Sequence, residues 1–307
     1  MEKNDSMASV LRAFSNQGME SRAVPFSRLR EARAEVLDVL CHASGPGLMK
    51  YIEACYDLRR DEVDGMRSVV VAAVPSPAVR FRLEFEGSTV DALVPPTYLD
   101  YPSAARRIEA VLDAALGPGN HYKPLRAPLK LIATRSGLAE YGRNNITYVG
   151  RLGSYARLAA YATDVPCEEG TWRERRAMAK CERCDLCARR CPTGAIDRSR
   201  FLLNAERCLT FLNEEEADMP EWVSPDWHHC LVGCLRCQEA CPANREASEK
   251  LIQGPSFDDE ETSALTSAAR AENLPPGTRK KVENSGLSVL YPILPRNVRL
   301  LLDGRRR

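Results

Sequence analysis

Residues 181–242 carry two cysteine runs, Cys181-Glu-Arg-Cys184-Asp-Leu-Cys187-Ala-Arg-Arg-Cys191-Pro192 and Cys234-Leu-Arg-Cys237-Gln-Glu-Ala-Cys241-Pro242. Two residues between cysteines let a tight turn bring both sulfurs onto one face. The C-x2-C-x2-C-x3-C-P spacing holds four-iron clusters, the cysteine before proline crossing to the other cluster. With Cys208 and Cys230 the region holds nine sulfurs, one more than two clusters use when each is held by four cysteines. The crossing rule gives Cys181, Cys184, Cys187 and Cys241 to cluster 1, and Cys191, Cys234 and Cys237 to cluster 2, completed by either Cys208 or Cys230. The chemistry this implies is one-electron transfer. Paired C-x2-C groups also hold structural zinc, but zinc sites are not usually built from two C-x2-C-x3-C-P runs. A disulfide framework belongs to small exported domains, and the start of this chain, Met1-Glu-Lys-Asn-Asp, has no apolar signal region.

These thiolates need a body to sit on. The chain has 307 residues and is 44% hydrophobic, enough for one large or two modest cores. A net charge of +1 gives no overall bias toward nucleic acid, so tRNA is not supported as a partner on charge grounds. No apolar run approaches the ~20 residues that span a bilayer. The expectation is a cytoplasmic protein with no membrane association, in a reducing compartment that suits exposed clusters.

The periodicity predicts an amphipathic helix over 27–41 (Leu29, Ala32, Val36, Leu37, Leu40) and another over 103–116 (Ala104, Ile108, Val111, Leu112, Ala115). Met66 to Val74, with the run Val69–Val74 closed by Pro75, has the β-branched density of a buried strand. An apolar stretch at 129–138 leads into a glycine-rich segment, 142–154, and Tyr155 to Tyr161 follows as a short apolar strand candidate. The expected fold class is mixed, α+β and α/β. Residues 1–166 form an α/β domain, 167–245 a bacterial-ferredoxin-type double [4Fe-4S] domain stapled by its clusters, and 246–307 a C-terminal extension. Within that extension, 254–281 is expected as a surface excursion with one or two short helices, and 285–302 as a return that packs on the first domain.

Several segments resemble the epoxyqueuosine reductases. Arg135-Ser-Gly-Leu-Ala-Glu-Tyr-Gly142-Arg143-Asn144-Asn145 and Gly153-Ser154-Tyr155 are similar to that family's "R-A-G-L-G-W-I-G-K-N" and "G-S-W" signatures. Cys191-Pro-Thr-Gly-Ala-Ile196, Arg207-Cys208-Leu209-Thr210 and Gly233-Cys234-Leu-Arg-Cys237-Gln238 follow its cluster region in order, and Leu294-Pro-Arg296-Asn297 its C-terminal "L-R-N". The resemblance implies Cys208 as the fourth ligand of cluster 2 and Cys230 as the spare. It implies a nitroreductase-like α/β domain binding base-off cobalamin at Gly142, Arg143, Asn144, Asn145, Gly153 and Ser154. The resemblance, which extends to the related reductive dehalogenases, further implies that the two clusters reduce that cobalamin in series, with ferredoxin or flavodoxin as the electron donor. Four histidines and no D-x-H-x-x-G pattern agree with base-off binding.

One departure matters. The family's "D-T-A-P" segment, which carries the proposed proton donor, aligns without gaps on Lys123-Pro124-Leu125-Arg126, where no carboxylate stands. The expectation is a divergent paralogue acting on a small molecule or modified nucleoside. Tyr122, Lys123 and Arg126 are the catalytic candidates, with Tyr122 as donor because a phenol beside cations has a lowered pKa. His121 is a further candidate in the same segment. His228 and His229 are expected to be solvated, Cys41, Cys55 and Cys167 to be small buried hydrophobes, and Trp222 and Trp227 to shield the second cluster.

Overall fold

The computed structural model describes residues 6–43, 56, 65–99, 101–117, 119–168, 172–199 and 201–305. In chain order the strands are β1 (Glu20–Pro25), β2 (Ser68–Pro75), β3 (Val79–Phe85), β4 (Ser88–Val94), β5 (Tyr122–Pro124), β6 (Glu140–Tyr141), β7 (Thr147–Tyr148), β8 (Ala156–Thr163) and β9 (Ile252–Phe257). The chain folds as two compact units, one made of 1–75 with 102–183 and the other of 76–101 with 184–307.

The first unit is built on a sheet of order β1-β2-β8-β5 in which every pairing is antiparallel. Its helices are α1 (Met7–Asn16), α2 (Arg28–Ala43), α3 (Tyr101–Leu116) and α4 (Leu129–Arg135). Strand β2 explains why its sequence is continuously apolar. Side chains alternate across a sheet, so Val69, Val71 and Ala73 enter one core with Leu29, Ile132 and Val149, while Val70, Ala72 and Val74 enter a second with Phe14, Ile108 and Leu112. Both faces are covered, so neither can be polar. The predicted helices, the strand at 68–75 and the strand after the glycine-rich segment are all present; Leu37, placed on the buried face by periodicity, is 43% exposed.

The second unit overturns the expected boundaries. Strands β4-β3-β9 form a sheet with β3 and β4 antiparallel and β3 and β9 parallel. The helices are α5 (Leu186–Arg190), α6 (Leu209–Glu214), α7 (Arg236–Glu239), α8 (Arg245–Ser248), α9 (Asp259–Ser267), α10 (Pro276–Asn284) and α11 (Leu294–Asp303). One core joins Phe81, Leu83 and Val94 of the hairpin to Leu231 and Val232 of the cysteine region and to Phe257, Leu265, Val282, Leu294 and Val298. So 254–281 is not a surface excursion: it supplies an edge strand, two helices and part of this core. Gly254-Pro255 disguised the strand, because proline is confined to strand edges; here β9 is an edge, and a Cβ at Gly254 would lie 2.8 Å from the Phe81 ring. The cysteine region, expected to be stapled by clusters alone, also shares this core. The return at 285–302 packs on the 79–94 hairpin, which sequence order placed in the first domain and which folds with the second unit.

Candidate iron–sulfur centre and cofactor turn

Helix α6 begins at Cys208, whose extended backbone (φ −72°, ψ 126°) makes it the N-cap residue. The first N–H groups of a helix have no intrahelical partner; those of Thr210 and Phe211 lie near the Cys208 sulfur, with no cap hydrogen bond formed to it. Burial pushes the Cys208 thiol up, those amides and the Thr210 hydroxyl oppose the shift, and Cys191 is near enough for its charge to be felt. Cys234 has the same environment. Burial takes it to about 12, the nearby Arg236 amide and guanidinium oppose the shift, and both Cys208 and Cys191 act on it. Cys191, Cys208 and Cys234 are thus near enough to one another for their charges to interact, with backbone N–H groups nearby that favour thiolate charge. Cys237 lies in α7, which packs against α5, the helix carrying Cys187.

Cys230 is placed differently. Its neighbours Leu231 and His229 exchange backbone hydrogen bonds with Leu93 (2.7 and 3.0 Å), extending the edge of β4, and its side chain is completely buried. Burial pushes this thiol well above its ordinary value, with Cys234 and Glu239 adding to the shift. The same strand-like pairing drags His228 and His229 inward, against the expectation that they are solvated. His228 is 4% exposed with neither ring nitrogen bonded, and burial lowers both imidazoles to about 4, with nearby arginines adding to the effect. His229 Nε2 accepts the Leu235 amide at 3.2 Å, so it is neutral and Glu239 at 3.9 Å is not an ion-pair partner.

The arms are tied by polar bonds. Arg207 Nε donates to the Thr193 carbonyl at 3.0 Å, joining the residue before Cys208 to the loop after Cys191, and Cys191 Sγ lies 3.5 Å from Thr193 Oγ1. Asn244, fully buried, donates to the Gln238 carbonyl at 2.8 Å and folds the Cys241-Pro242 turn onto α7. Gly233 takes φ +65°, and a Cβ there would lie 2.7 Å from the Tyr98 hydroxyl, which donates to Glu214. Trp222 packs at 55° to Trp227 and beneath the Arg207 guanidinium at 4.9 Å, and is itself 43% exposed. Among the described residues no three His, Cys, Asp or Glu side chains converge as they would around a single metal ion. A four-iron cube is ligated at its corners, so its thiolates stand farther apart than those around one ion.

The first unit holds Cys181 and the glycine-rich turn. Arg135, at the end of α4, is ion-paired with Glu35 and lies over the Trp172 ring at 5.8 Å, anchoring the segment that follows. Gly142 donates to Ile146 at 2.7 Å, and Asn145 adopts a left-handed φ of +58°. Asn144 is buried and bonds the Tyr148 hydroxyl at 3.0 Å. Gly142 is required because a Cβ would lie 2.5 Å from Asn144 Oδ1 and from the Tyr148 ring. Gly153 (φ +55°, ψ −137°) and Ser154 are buried at the far end. Arg143 extends from the turn to donate to the backbone carbonyl of Cys181. Of the six residues expected at a corrinoid, Asn144 is thus engaged inside the turn, while Arg143 and Asn145 are half-buried on its rim.

Tyr122 corrects an expectation. Its hydroxyl donates to Asp113 at 2.8 Å, and its ring meets Tyr161 edge-on at 5.7 Å. Burial, then the hydrogen bond and charge of Asp113, raise the phenol to about 12 instead of lowering it. Sequence adjacency to Lys123 was misleading because neighbouring residues in a strand point to opposite faces. Lys123 and Arg126 are exposed. Cys167 is half-buried against the second apolar cluster, and the side chain of Cys41 and all of Cys55 lie outside the described residues. Sequence reasoning missed Asn213, Arg296, Asn297 and Tyr98, which brace the cysteine arms; only the "L-R-N" likeness pointed toward two of them.

The family model of a 4Fe-4S double cluster binding domain matches residues 180–244. Over 116 residues, 38% of this chain, the sequence is 31% identical to the epoxyqueuosine reductase of Staphylococcus aureus and 32% identical to that of Bacillus subtilis. The aligned stretch accounts for 29% of either relative's length. The fold of the epoxyqueuosine reductase from Streptococcus thermophilus matches with a TM-score of 0.65 at 17% identity, covering 98% of this chain and 81% of that one. An epoxyqueuosine reductase crystallised with an epoxyqueuosine-modified tRNA stem loop gives 0.63 at 20% identity, covering 97% and 80%. The chain is thus similar to epoxyqueuosine reductases in sequence over 38% of its length and in fold over most of it, and its 4Fe-4S double-cluster match is set among mixed α and β structure.

Proposed function

We propose that this chain is a cobalamin-dependent iron–sulfur reductase. It passes low-potential electrons through two [4Fe-4S] clusters to a corrinoid on the first unit and cleaves a C–O or C–halogen bond in a small molecule or modified nucleoside. The observation that carries this reading is the hydrogen bond from Arg143 to the Cys181 carbonyl. It ties the glycine-rich turn to the backbone of Cys181, the first cysteine of the iron–sulfur run and, in this reading, a cluster ligand. The bound corrinoid would supply the low-potential metal centre that attacks the carbon bearing the leaving group, while the protein supplies position and shielding. Arg143, Asn145 and the backbone from Gly153 to Ser154 are the groups of this chain that would hold it. Exposed Lys123 and Arg126 would offer cations to the phosphate periphery of the cofactor or to an anionic substrate.

The proton donor has to be reassigned. A phenol held near 12 and already donating to a carboxylate is a weaker acid than free tyrosine, which argues against Tyr122. A net charge of +1 gives no electrostatic pull toward a whole tRNA, which favours a free nucleoside or another small molecule. Ferredoxin or flavodoxin in the cytoplasm is the proposed electron source. Among the described residues no helix is long and apolar enough to cross a membrane.

The absence of a carboxylate at 123–126 favours a second reading, an electron-transfer or corrinoid-handling protein with no substrate chemistry of its own. Anaerobic reconstitution with iron and sulfide, followed by cobalamin and a visible spectrum, separates these. The reductase and corrinoid-handling readings require stoichiometric cobalamin retained through gel filtration, and retention is expected to fall at least tenfold in Arg143→Ala with iron content unchanged. Iron uptake without cobalamin would leave electron transfer alone; reductive turnover of an identified substrate separates the other two.

A further inference from the structure

The two arms that carry Cys208 and Cys234 are joined, through groups other than the sulfurs, by a set of bonds that neither the cluster spacing nor the proposed chemistry accounts for. Helix α6 has six residues, and its last carbonyls lack intrahelical partners. Arg296, near the start of α11, takes them up: Nη2 donates to the carbonyls of Leu212 and Asn213, each at 3.1 Å, and Nη1 to those of Glu215 (2.7 Å) and Ala217. Its Nε donates to Asn297 Oδ1 at 3.0 Å, fixing the amide orientation. Asn297 Nδ2 then donates to the Asn213 carbonyl at 3.0 Å and to the Leu231 carbonyl at 2.9 Å, bridging the two arms. Asn213 Nδ2 closes the ring on the Gly233 carbonyl at 2.8 Å, one residue before Cys234. Asn297 and Asn213 are 0% and 1% exposed, so water cannot replace these bonds if they are lost.

We infer that Arg296 and Asn297 are positioning residues for the second cluster, holding Cys208 and Cys234 at the separation one cluster requires. The inference rests on the double-cluster reading. A guanidinium suits the task because its planar fork presents donors in two directions at once, which the single ammonium of lysine cannot do. The ring links a helix that starts directly after Cys208 to the loop that leads into Cys234, so loosening it frees the two sulfurs relative to each other without touching either.

The test uses the full chain, reconstituted anaerobically, with iron content, the EPR spectrum of the reduced protein and redox titration as readouts. Arg296→Lys and Asn297→Ala are compared with Val282→Ala, which removes core volume in the same unit away from the ring. The expected result is that Asn297→Ala loses up to half of about eight irons per chain or shifts the midpoint potential and EPR lines of one cluster while the other is unchanged. Arg296→Lys should fail to restore the native signature although charge is kept, and Val282→Ala should keep both signatures at an equal or larger loss of thermal stability. If Val282→Ala perturbs the same cluster as much, or if Arg296→Lys and Asn297→Ala leave iron, spectrum and potential unchanged, the positioning role is overturned. Should the unsubstituted protein bind far fewer irons, the double-cluster reading fails instead.

Discussion

Within the glycine-rich turn the contacts that shape the backbone are short in sequence. Asn144 bonds Tyr148, Gly142 bonds Ile146 and Val149 bonds Gly153. In the cysteine arms they are long: Asn213 to Gly233 spans 20 residues, Asn297 to Leu231 66 and Tyr98 to Glu214 116. The turn can form as soon as its own residues meet. The arms are braced by the hairpin at 79–94 and the C-terminal helix, so ordering them carries the loop-closure entropy of distant contacts. A local motif is therefore recognisable in sequence, whereas a site assembled from distant polar bonds shows only its ligands.

The sharpest way to break this comparison is to test which sulfur the distant bonds serve. Cys208→Ser is expected to lose about half of the roughly eight irons of the reconstituted protein, because Cys208 lies near both Cys191 and Cys234. Cys230→Ala should retain all of them and cost about 1 kcal/mol or slightly more for a small cavity. The reverse pattern, read by iron assay and EPR, would make Cys230 the ligand and the β4 edge part of the centre.

A second test concerns acid. Free histidine titrates near 6.5, and His228 and His229 are lowered to about 4 in the fold. Between those values the unfolded chain binds protons that the native state refuses, so stability is full above about pH 6.5 and falls as pH drops toward 4. Each imidazole contributes up to about 3 kcal/mol across that window. Unfolding midpoints from pH 7 to 4 should therefore decline, and His228→Gln should flatten the decline in the second unit. An unchanged slope would mean that the pair is not buried as neutral groups.

The same contrast explains what was legible. β2, α2, α3 and the turn at 142–154 follow from patterns that local residues carry by themselves: alternation, helical period, glycine where a side chain has no room. The cysteines were legible because ligand spacing is itself local. The second unit's boundary was not, because nothing in Ser76–Tyr101 announces that its partners lie beyond residue 184, and β9 hides behind Gly254-Pro255. His228 and His229 were misjudged for a related reason: a histidine pair is polar in sequence, and only the pairing of Leu231 with Leu93 draws it into the core. The lowered pKa expected of Tyr122 was misjudged because strand geometry turns its hydroxyl toward Asp113 rather than toward Lys123.

Glycine substitutions sharpen the local-versus-distant distinction at smaller cost. Gly142→Ala puts a methyl against Asn144 and Tyr148 and should cost about 1–3 kcal/mol by overpacking, with iron content intact. Gly233→Ala adds the ~1–2 kcal/mol of a left-handed backbone to displacement of Tyr98, and should disturb the EPR spectrum of one cluster as well. If both variants lower thermal stability and neither alters the spectrum, the arm is less tightly tied to the sulfur than its bonds imply.

The smallest expected effect is at Tyr122. Its hydroxyl bond to Asp113 is solvent-facing, so Tyr122→Phe should lower stability by no more than about 1 kcal/mol. With a phenol held near 12, no step in its pH profile between 6 and 9 belongs to this residue. Turnover of an identified substrate is expected to stay within about twofold, well below the 10²–10⁴-fold contribution of a general acid. A hundredfold loss in kcat with unchanged folding would return Tyr122 to the chemistry and require the Asp113 bond to break during the catalytic cycle, placing the proton donor in a local element after all.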